Sequence, residues 1–138
     1  MTQTAKARTG KEAMFTGGFS TFSIKDVGKA KEFYGETLGL EVSEEMEGLN
    51  LGIPDGDSLF LYPKEDHKPA TFTVFNLKVD DIAKAVEDLS GRGIKFLQYD
   101  KPMETDENGI FWGAKDCSGP NIAWFEDPSA NILSIIEN

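Results

Sequence analysis

Cysteine and histidine are nearly absent from this sequence. It has one cysteine, Cys117, and one histidine, His67, in 138 residues. A lone cysteine excludes an intrachain disulfide, and the two counts together exclude a zinc site built from several histidines and cysteines. We interpret Cys117 as an ordinary small side chain near a strand end, because a Cys–His nucleophile would need both single residues to meet.

Positive charge is also scarce. Lysine and arginine total 14 against 24 aspartates and glutamates, so the formal net charge is −10. Phosphate backbones and anionic lipid surfaces repel such a chain, and no local basic stripe offsets the repulsion. We therefore expect neither a nucleic acid nor a membrane as a partner.

Long apolar runs are missing as well. None approaches the roughly 18–20 residues that a membrane-spanning helix needs. The N-terminal segment MTQTAKARTGKEAMF lacks the apolar centre of an export signal, so we expect a cytoplasmic location. Hydrophobic residues make up 39% of the chain, which is ordinary for a packed protein. We predict a flexible tail over residues 1–14 and a single domain over residues 15–138.

The chain contains two copies of one unit, 55 positions apart. In each copy, alternating apolar residues predict a strand, an aspartate (Asp26; Asp80 or Asp81) predicts a helix N-cap, and a glycine (Gly39, Gly93) predicts the helix stop. Residues 22–32 give four identities with the second copy. The identical pairs are Asp26–Asp81, Lys29–Lys84, Ala30–Ala85 and Glu32–Glu87.

Three further strands are predicted after each helix. In the first copy they cover 40–46, 49–53 and 58–63, with a turn at 54–57. In the second copy they cover 94–99, then 110–115 or 121–126, then 131–137. Residues 62–71 are polar and form the predicted connector, and the polar loop 100–109 is a candidate lid or rim. The pattern predicts an α+β fold of two βαβββ modules, over about 15–66 and 70–138.

This pattern resembles the vicinal oxygen chelate superfamily, which includes glyoxalase I, bleomycin-resistance proteins and extradiol dioxygenases. The resemblance rests on SIKDVGKAKEFYGETLGLEV (23–42), VDDIAKAVEDLSGRGI (79–94) and WFEDPSANILSI (124–135). The last segment is similar to the family motif F-x-D-P-x-G-N-x-x-E, with Ala130 in place of the usual glycine. The resemblance implies mixed, curved sheets that form a cleft, and a homodimer, as in most members.

The resemblance also implies four metal-ligand positions, one at the start of each opening strand and one near the end of each closing strand. In this sequence they fall on Phe19, Phe60, Val74 and Ser134. None is a good metal ligand, since only the serine carries a donor oxygen and a weak one. We therefore expect no metal and no cofactor, which makes the metal-free, drug-binding members the nearer comparison.

Strand alternation predicts the residues that line the cleft. The predicted ligand contacts, with two tryptophans added, are Phe19, Thr21, Phe60, Tyr62, Val74, Asn76, Trp112, Trp124 and Ser134. This apolar, aromatic floor with a few polar groups suits an organic ligand, and the acidic chain favours a neutral or cationic one. Alternatively, these side chains fill the cleft or lie in a subunit interface. Glu126 is an acid or base only if it faces inward, and is otherwise a solvated strand-end carboxylate.

Three functions remain open at this point. The first is a metal-free small-molecule binding protein of the glyoxalase/bleomycin-resistance type, with an apolar or aromatic ligand. The alternative is a superfamily enzyme, lyase, isomerase or dioxygenase-like, whose metal site is non-standard or absent. The third is an accessory subunit whose fold serves dimerisation. In the binding hypothesis the cleft lies either within one chain or between two.

Overall fold

The structure is a computed structural model that describes residues 14–56 and 58–138. The tail predicted for residues 1–14 therefore lies outside the described residues except for Met14, which is exposed. Among the described residues, no helix has both the length and the apolar character needed to cross a membrane.

The first half of the described chain folds as βαβββ. Its elements are β1 (Ser20–Ile24), α1 (Val27–Lys31), a π-helical continuation (Glu32–Thr37), β2 (Glu41–Glu45), β3 (Gly48–Gly52) and β4 (Leu59–Pro63). The strands form one mixed sheet in the order β1-β4-β3-β2, in which β1 and β4 run parallel.

The second half repeats this arrangement. Its elements are β5 (Thr73–Val79), α2 (Ile82–Gly91), β6 (Ile110–Trp112), a 3₁₀ turn (Gly113–Asp116), β7 (Asn121–Glu126) and β8 (Ile132–Glu137). The sheet order is β5-β8-β7-β6, with β5 and β8 parallel. The predicted α+β fold of two repeated modules is confirmed.

The predicted helix signals are confirmed at both ends. The Asp26 carboxylate accepts a hydrogen bond from the Lys29 amide at 3.0 Å, and Asp81, rather than Asp80, makes the equivalent bond in α2. Gly39 and Gly93 have φ angles of 79° and 99°, in the left-handed region that favours glycine after a helix.

The predicted strand at 94–99 is wrong. Only Phe96 forms an isolated bridge, to Phe125, and the Leu97 amide donates to the Trp124 carbonyl at 2.8 Å. The place beside β7 is thus shared by two short segments, 96–97 and β6, and residues 98–109 loop out between them. The chain leaves the sheet because the loop pairs with itself, with the Tyr99 and Thr105 backbones bonded to one another. Residues 110–115 and 121–126 both contain a strand.

One hydrophobic core joins the two modules. Strand alternation predicts that the residues between the cleft positions pack under the helices, and all of them belong to this core or pack against it: Phe22, Ile24, Leu59, Leu61, Phe75, Leu77, Val79, Leu133 and Ile135. At the end of the first helix, the ring of Phe33 lies 6.2 Å from the ring of Phe125 on β7, so this helix contacts the second sheet as well as its own. The helix-covered faces of both sheets border this core, and their open faces point away from it.

A buried polar contact crosses the module boundary. The Tyr34 hydroxyl donates to Asp127 Oδ2 at 2.7 Å, and both residues are buried. The Ser129 and Asn131 amides donate to Asp127 Oδ1, and the Asn131 side chain donates to Oδ2. Burial, and then the charge of Asp127, raise the pKa of Tyr34 well above its ordinary value. Tyr34 therefore stays protonated and remains a donor.

The single histidine also links the modules. His67 Nε2 lies 2.9 Å from the Ser129 carbonyl, which can only accept, so Nε2 carries the proton. Nδ1 then accepts from the Ser23 hydroxyl at 2.7 Å. Cys117 is exposed and lies elsewhere, after the 3₁₀ turn. Because these contacts tie the connector after β4 to the β7–β8 turn, His67 has a structural role here.

Candidate functional site

The open face of the second sheet carries its own apolar cluster. Three buried side chains form it, Phe111, Ile122 and Trp124, and partly buried Leu97, Ile132 and Ile136 pack against them. Strand alternation explains the arrangement, because Ile122 and Trp124 of β7 face outward while their neighbours Ala123 and Phe125 face the main core. The second sheet therefore carries an apolar cluster on each of its two faces. Such a cluster is unusual on the open face, because no other element of the chain covers it.

A pocket of about 310 Å³ lies on this face. Trp124 and Ile132 of the sheet line it, together with Tyr99 and Met103 from the 98–109 loop and Phe72, which directly precedes β5. The rings of Tyr99 and Trp124 meet edge to face, with centroids 5.1 Å apart and planes at 86°. Phe72 is 67% exposed, so a large part of the aromatic wall is open to solvent. The pocket can take an apolar or aromatic molecule at the small end of the usual size range.

The loop that walls the pocket is fixed at its base by Asp106. One carboxylate oxygen accepts from the Asn108 and Ile110 amides at 2.8 and 3.0 Å, and the other accepts from the Trp112 indole at 2.8 Å. Partial burial alone would raise the pKa of Asp106, but these hydrogen bonds outweigh it and the pKa is lowered. The loop predicted as a lid or rim thus forms one wall of the pocket.

Trp112 is not brought to the pocket. It alternates along β6 with Phe111, which belongs to the open-face cluster, so it lies on the opposite side of the strand. Its indole is engaged by Asp106. Of the two tryptophans predicted as ligand contacts, only Trp124 lines the pocket.

Polar groups lie beside Trp124 on the same face. Ser134 is its cross-strand neighbour on β8, is fully buried, and donates its hydroxyl to Asn76 on β5. Glu126, next on this face of β7, is exposed and pairs with Ile132. Burial, and then the negative charge of Glu126, raise the pKa of Tyr99. The Glu126 carboxylate is therefore close enough to interact electrostatically with Tyr99 of the pocket wall. Glu126 therefore lies on the same open face of the second sheet as Trp124.

The other predicted contacts lie in the first module. Phe19 is exposed and lines a separate cavity of about 760 Å³ that also contains Asn76. The Thr21 hydroxyl donates to the Phe60 carbonyl at 2.6 Å, and Phe60 pairs with Thr21 on the open face of the first sheet. Tyr62 is partly exposed on the same face. The chain therefore brings Phe19 and Asn76 to one cavity between the modules and leaves the other predicted contacts on two open faces.

Val74 departs from the predicted alternation. The β5–β8 register shifts between Thr73 and Phe75, and Val74 packs against the main core. Because of this bulge, Thr73 pairs with Ile132 and takes the position beside the pocket.

Sequence reasoning missed Phe72, Tyr99 and Met103 as lining residues. Each lies outside the regular strands, either just before β5 or in the 98–109 loop, so strand periodicity carries no information about where its side chain points. The length of the 98–109 loop was the available signal, since long loops in compact domains are often binding elements.

A family model described as Glyoxalase/Bleomycin resistance protein/Dioxygenase superfamily matches residues 19–135. The chain belongs to this superfamily. No curated protein sequence matches the chain.

Solved structures of the superfamily share its fold. TnmS3, an antibiotic binding protein from Streptomyces sp. CB03234, has 22% identity and a TM-score of 0.61, over 91% of this chain and 98% of its own. A glyoxalase/bleomycin resistance protein from the same organism has 21% identity and a TM-score of 0.58, over 86% and 97%. A superfamily member from Sphaerobacter thermophilus DSM 20745 has 26% identity and a TM-score of 0.63, over 89% and 98%.

The residues that the resemblance assigns to the metal positions do not fit a metal. Phe60 and Val74 have no donor atom, Phe19 is an exposed phenyl group before β1, and the Ser134 hydroxyl is bonded to Asn76. Within residues 14–56 and 58–138, no group of three or more histidine, cysteine, aspartate or glutamate side chains is arranged to hold a metal ion. No catalytic step through a metal can be built on these side chains.

Proposed function

We propose that this chain is a small-molecule binding protein that takes an apolar or aromatic ligand, without a metal, on the open face of its second sheet. The observation that carries the proposal is the apolar pocket around Trp124. The likeness to TnmS3, an antibiotic binding protein, supports it.

The energetics favour a flat, apolar ligand. Phe72, Tyr99 and Met103 are each more than a third exposed, so a ligand that covers them removes apolar surface from water. Burying one aromatic ring in such a pocket contributes on the order of 1–3 kcal/mol. The Thr73 hydroxyl at the pocket's sheet edge is available to orient the ligand.

A neutral tricyclic molecule, N-methylacridone, tests the pocket. We expect it to quench the tryptophan fluorescence of the wild-type chain and to raise the melting temperature, because it binds the folded state only. Phe72→Ala should weaken binding about 5- to 30-fold by removing an aromatic contact. Phe15→Ala is the matched control, since Phe15 is 82% exposed and lies before β1, away from the pocket. Equal effects of the two substitutions would contradict the proposed site.

The absence of a metal is tested by elemental analysis of the purified protein. We expect binding of N-methylacridone to survive dialysis against a chelator unchanged. Tightly held iron, manganese, nickel or zinc at near one equivalent per chain would contradict the metal-free proposal and would favour the enzyme alternative.

We also propose that two copies of the chain assemble as a homodimer that completes the cleft. Thr21 and Phe60 lie on an open face that points away from the shared core, as does the face of Trp124, so one chain does not bring them together. Strands β1 and β5 are each at a sheet edge, and unpaired edges are ready sites for pairing with another chain. Sedimentation at micromolar concentration should give a species of twice the 15.2 kDa chain mass. Phe60→Glu should weaken probe binding, although Phe60 lies outside the pocket of its own chain.

A further inference from the structure

Two carboxylates lie at the pocket, those of Asp100 and Glu126. Asp100 lines it, and Glu126 is on the same face of β7 as Trp124 and pairs with the lining residue Ile132. Both carboxylates are exposed, and neither belongs to an ion pair among the described residues. Of the described residues that line the pocket, none is lysine or arginine; Lys101 follows Asp100 but is not among them.

The aromatic groups are placed to favour positive charge as well. Tyr99 and Trp124 meet edge to face, and Phe72 presents an exposed ring at the same opening. The faces of aromatic rings are negative, so a cation over them is attracted, and most strongly where carboxylates stand beside it.

We infer that the pocket prefers an organic cation with an aromatic or bulky apolar body, such as a quaternary or protonated amine, over a neutral or anionic molecule of the same shape. Glu126 and Asp100 supply the charge, and the rings of Tyr99, Trp124 and Phe72 hold the body. This inference rests on the proposed binding function and specifies the chemical class of its ligand.

Three probes with the same ring frame test the preference. N-methylacridinium carries a fixed positive charge, N-methylacridone is neutral, and anthracene-9-carboxylate is negative. Titration at low salt should show the cation binding about tenfold tighter than the neutral probe and the anion weakest. Added salt should weaken binding of the cation and leave the neutral probe unchanged. Equal binding of the cation and the neutral probe overturns the inference but leaves the binding function standing. Binding of none of the three overturns both.

A pair of charge-removing variants separates the local carboxylate from the net charge of the chain. Glu126→Gln should reduce the ratio of the affinity for the cation to the affinity for N-methylacridone at least about threefold. Glu87→Gln removes the same charge from α2, on the helix-covered side of the sheet, and should leave the preference unchanged. Both glutamates are exposed, so neither change threatens folding. Equal losses in the two variants would show that the overall charge of −10 governs the preference, which also overturns the inference.

Discussion

Removing the Tyr34 hydroxyl should destabilise the fold by about 1.5–2 kcal/mol. The hydroxyl is buried with its residue, which is 1% exposed, and it donates to a buried carboxylate at 2.7 Å. Hydrogen bonds to charged groups contribute about 1.5–3 kcal/mol. The lower part of that range applies to Tyr34→Phe, because Asp127 keeps its three donors from Ser129 and Asn131. For a chain of this length the melting temperature should fall by about 5 °C.

Urea denaturation with a double-mutant cycle is the assay. Asp127→Asn places an amide nitrogen where Oδ2 accepts two hydrogen bonds, so we expect a loss larger than that of Tyr34→Phe. In that background Tyr34→Phe should add little, since its acceptor is already gone. The control is Tyr62→Phe, at a tyrosine that is 37% exposed. A Tyr34→Phe variant as stable as the Tyr62→Phe variant would refute the assigned role of this bond.

The same contact predicts an alkaline dependence. The pKa of Tyr34 in the folded state lies far above 10.0, the ordinary value it takes in the unfolded chain. The contribution of the neutral phenol is therefore complete below about pH 10 and decreases above it, by up to about 1.4 kcal/mol per pH unit. In Tyr34→Phe this part of the alkaline loss should be absent from urea midpoints measured between pH 9 and 11.

Three further predictions concern the backbone and the loop. Gly48→Ala should cost more than about 2 kcal/mol in thermal unfolding, because the added Cβ would lie 2.3 Å from a backbone carbonyl oxygen. The control is Gly91→Ala, which should be neutral or stabilising because nothing lies within 4 Å of the added Cβ. Equal costs of the two substitutions would contradict this reasoning. Asp26→Ala and Asp81→Ala should each cost about 1 kcal/mol, additively, and unequal losses would show that the two caps are not equivalent. Asp106→Asn should speed amide hydrogen exchange in residues 98–109. In the wild-type chain, hydrogen bonds lower the folded-state pKa of Asp106, so the same loosening should appear only as the pH falls below about 4. If the loop is equally protected from exchange in both proteins, Asp106 does not hold it in place.

The elements predicted correctly are those whose signals are local. Asp26 and Asp81 cap helices through amides three residues away, and Gly39 and Gly93 end them through their own backbone conformation. Alternation placed the main core correctly along β1, β4 and β8, where each strand keeps one buried face.

The features that were missed depend on distant partners. Whether Phe96 begins a strand depends on its register with Phe125, and the loop after it has its own hydrogen bonds to satisfy. The bulge at Val74 is a property of the β5–β8 pair, and a single residue out of register reverses every face assignment before it. The lining of the pocket was predicted only in part for the same reason, since Trp124 follows the strand periodicity and Tyr99, in the loop, does not.

The position of the 98–109 loop has a consequence for how the protein can diverge. The loop leaves one edge of the sheet and returns to the same edge, and its hydrogen bonds close within itself and at Asp106, while Trp124 on β7 stays in place beneath it. Substitutions, insertions and deletions at the tip between residues 99 and 105 therefore act on the pocket wall without passing through the main core. If the pocket binds a ligand as proposed, exchanging this one segment changes the ligand preference at little cost to the stability of the modules that carry it.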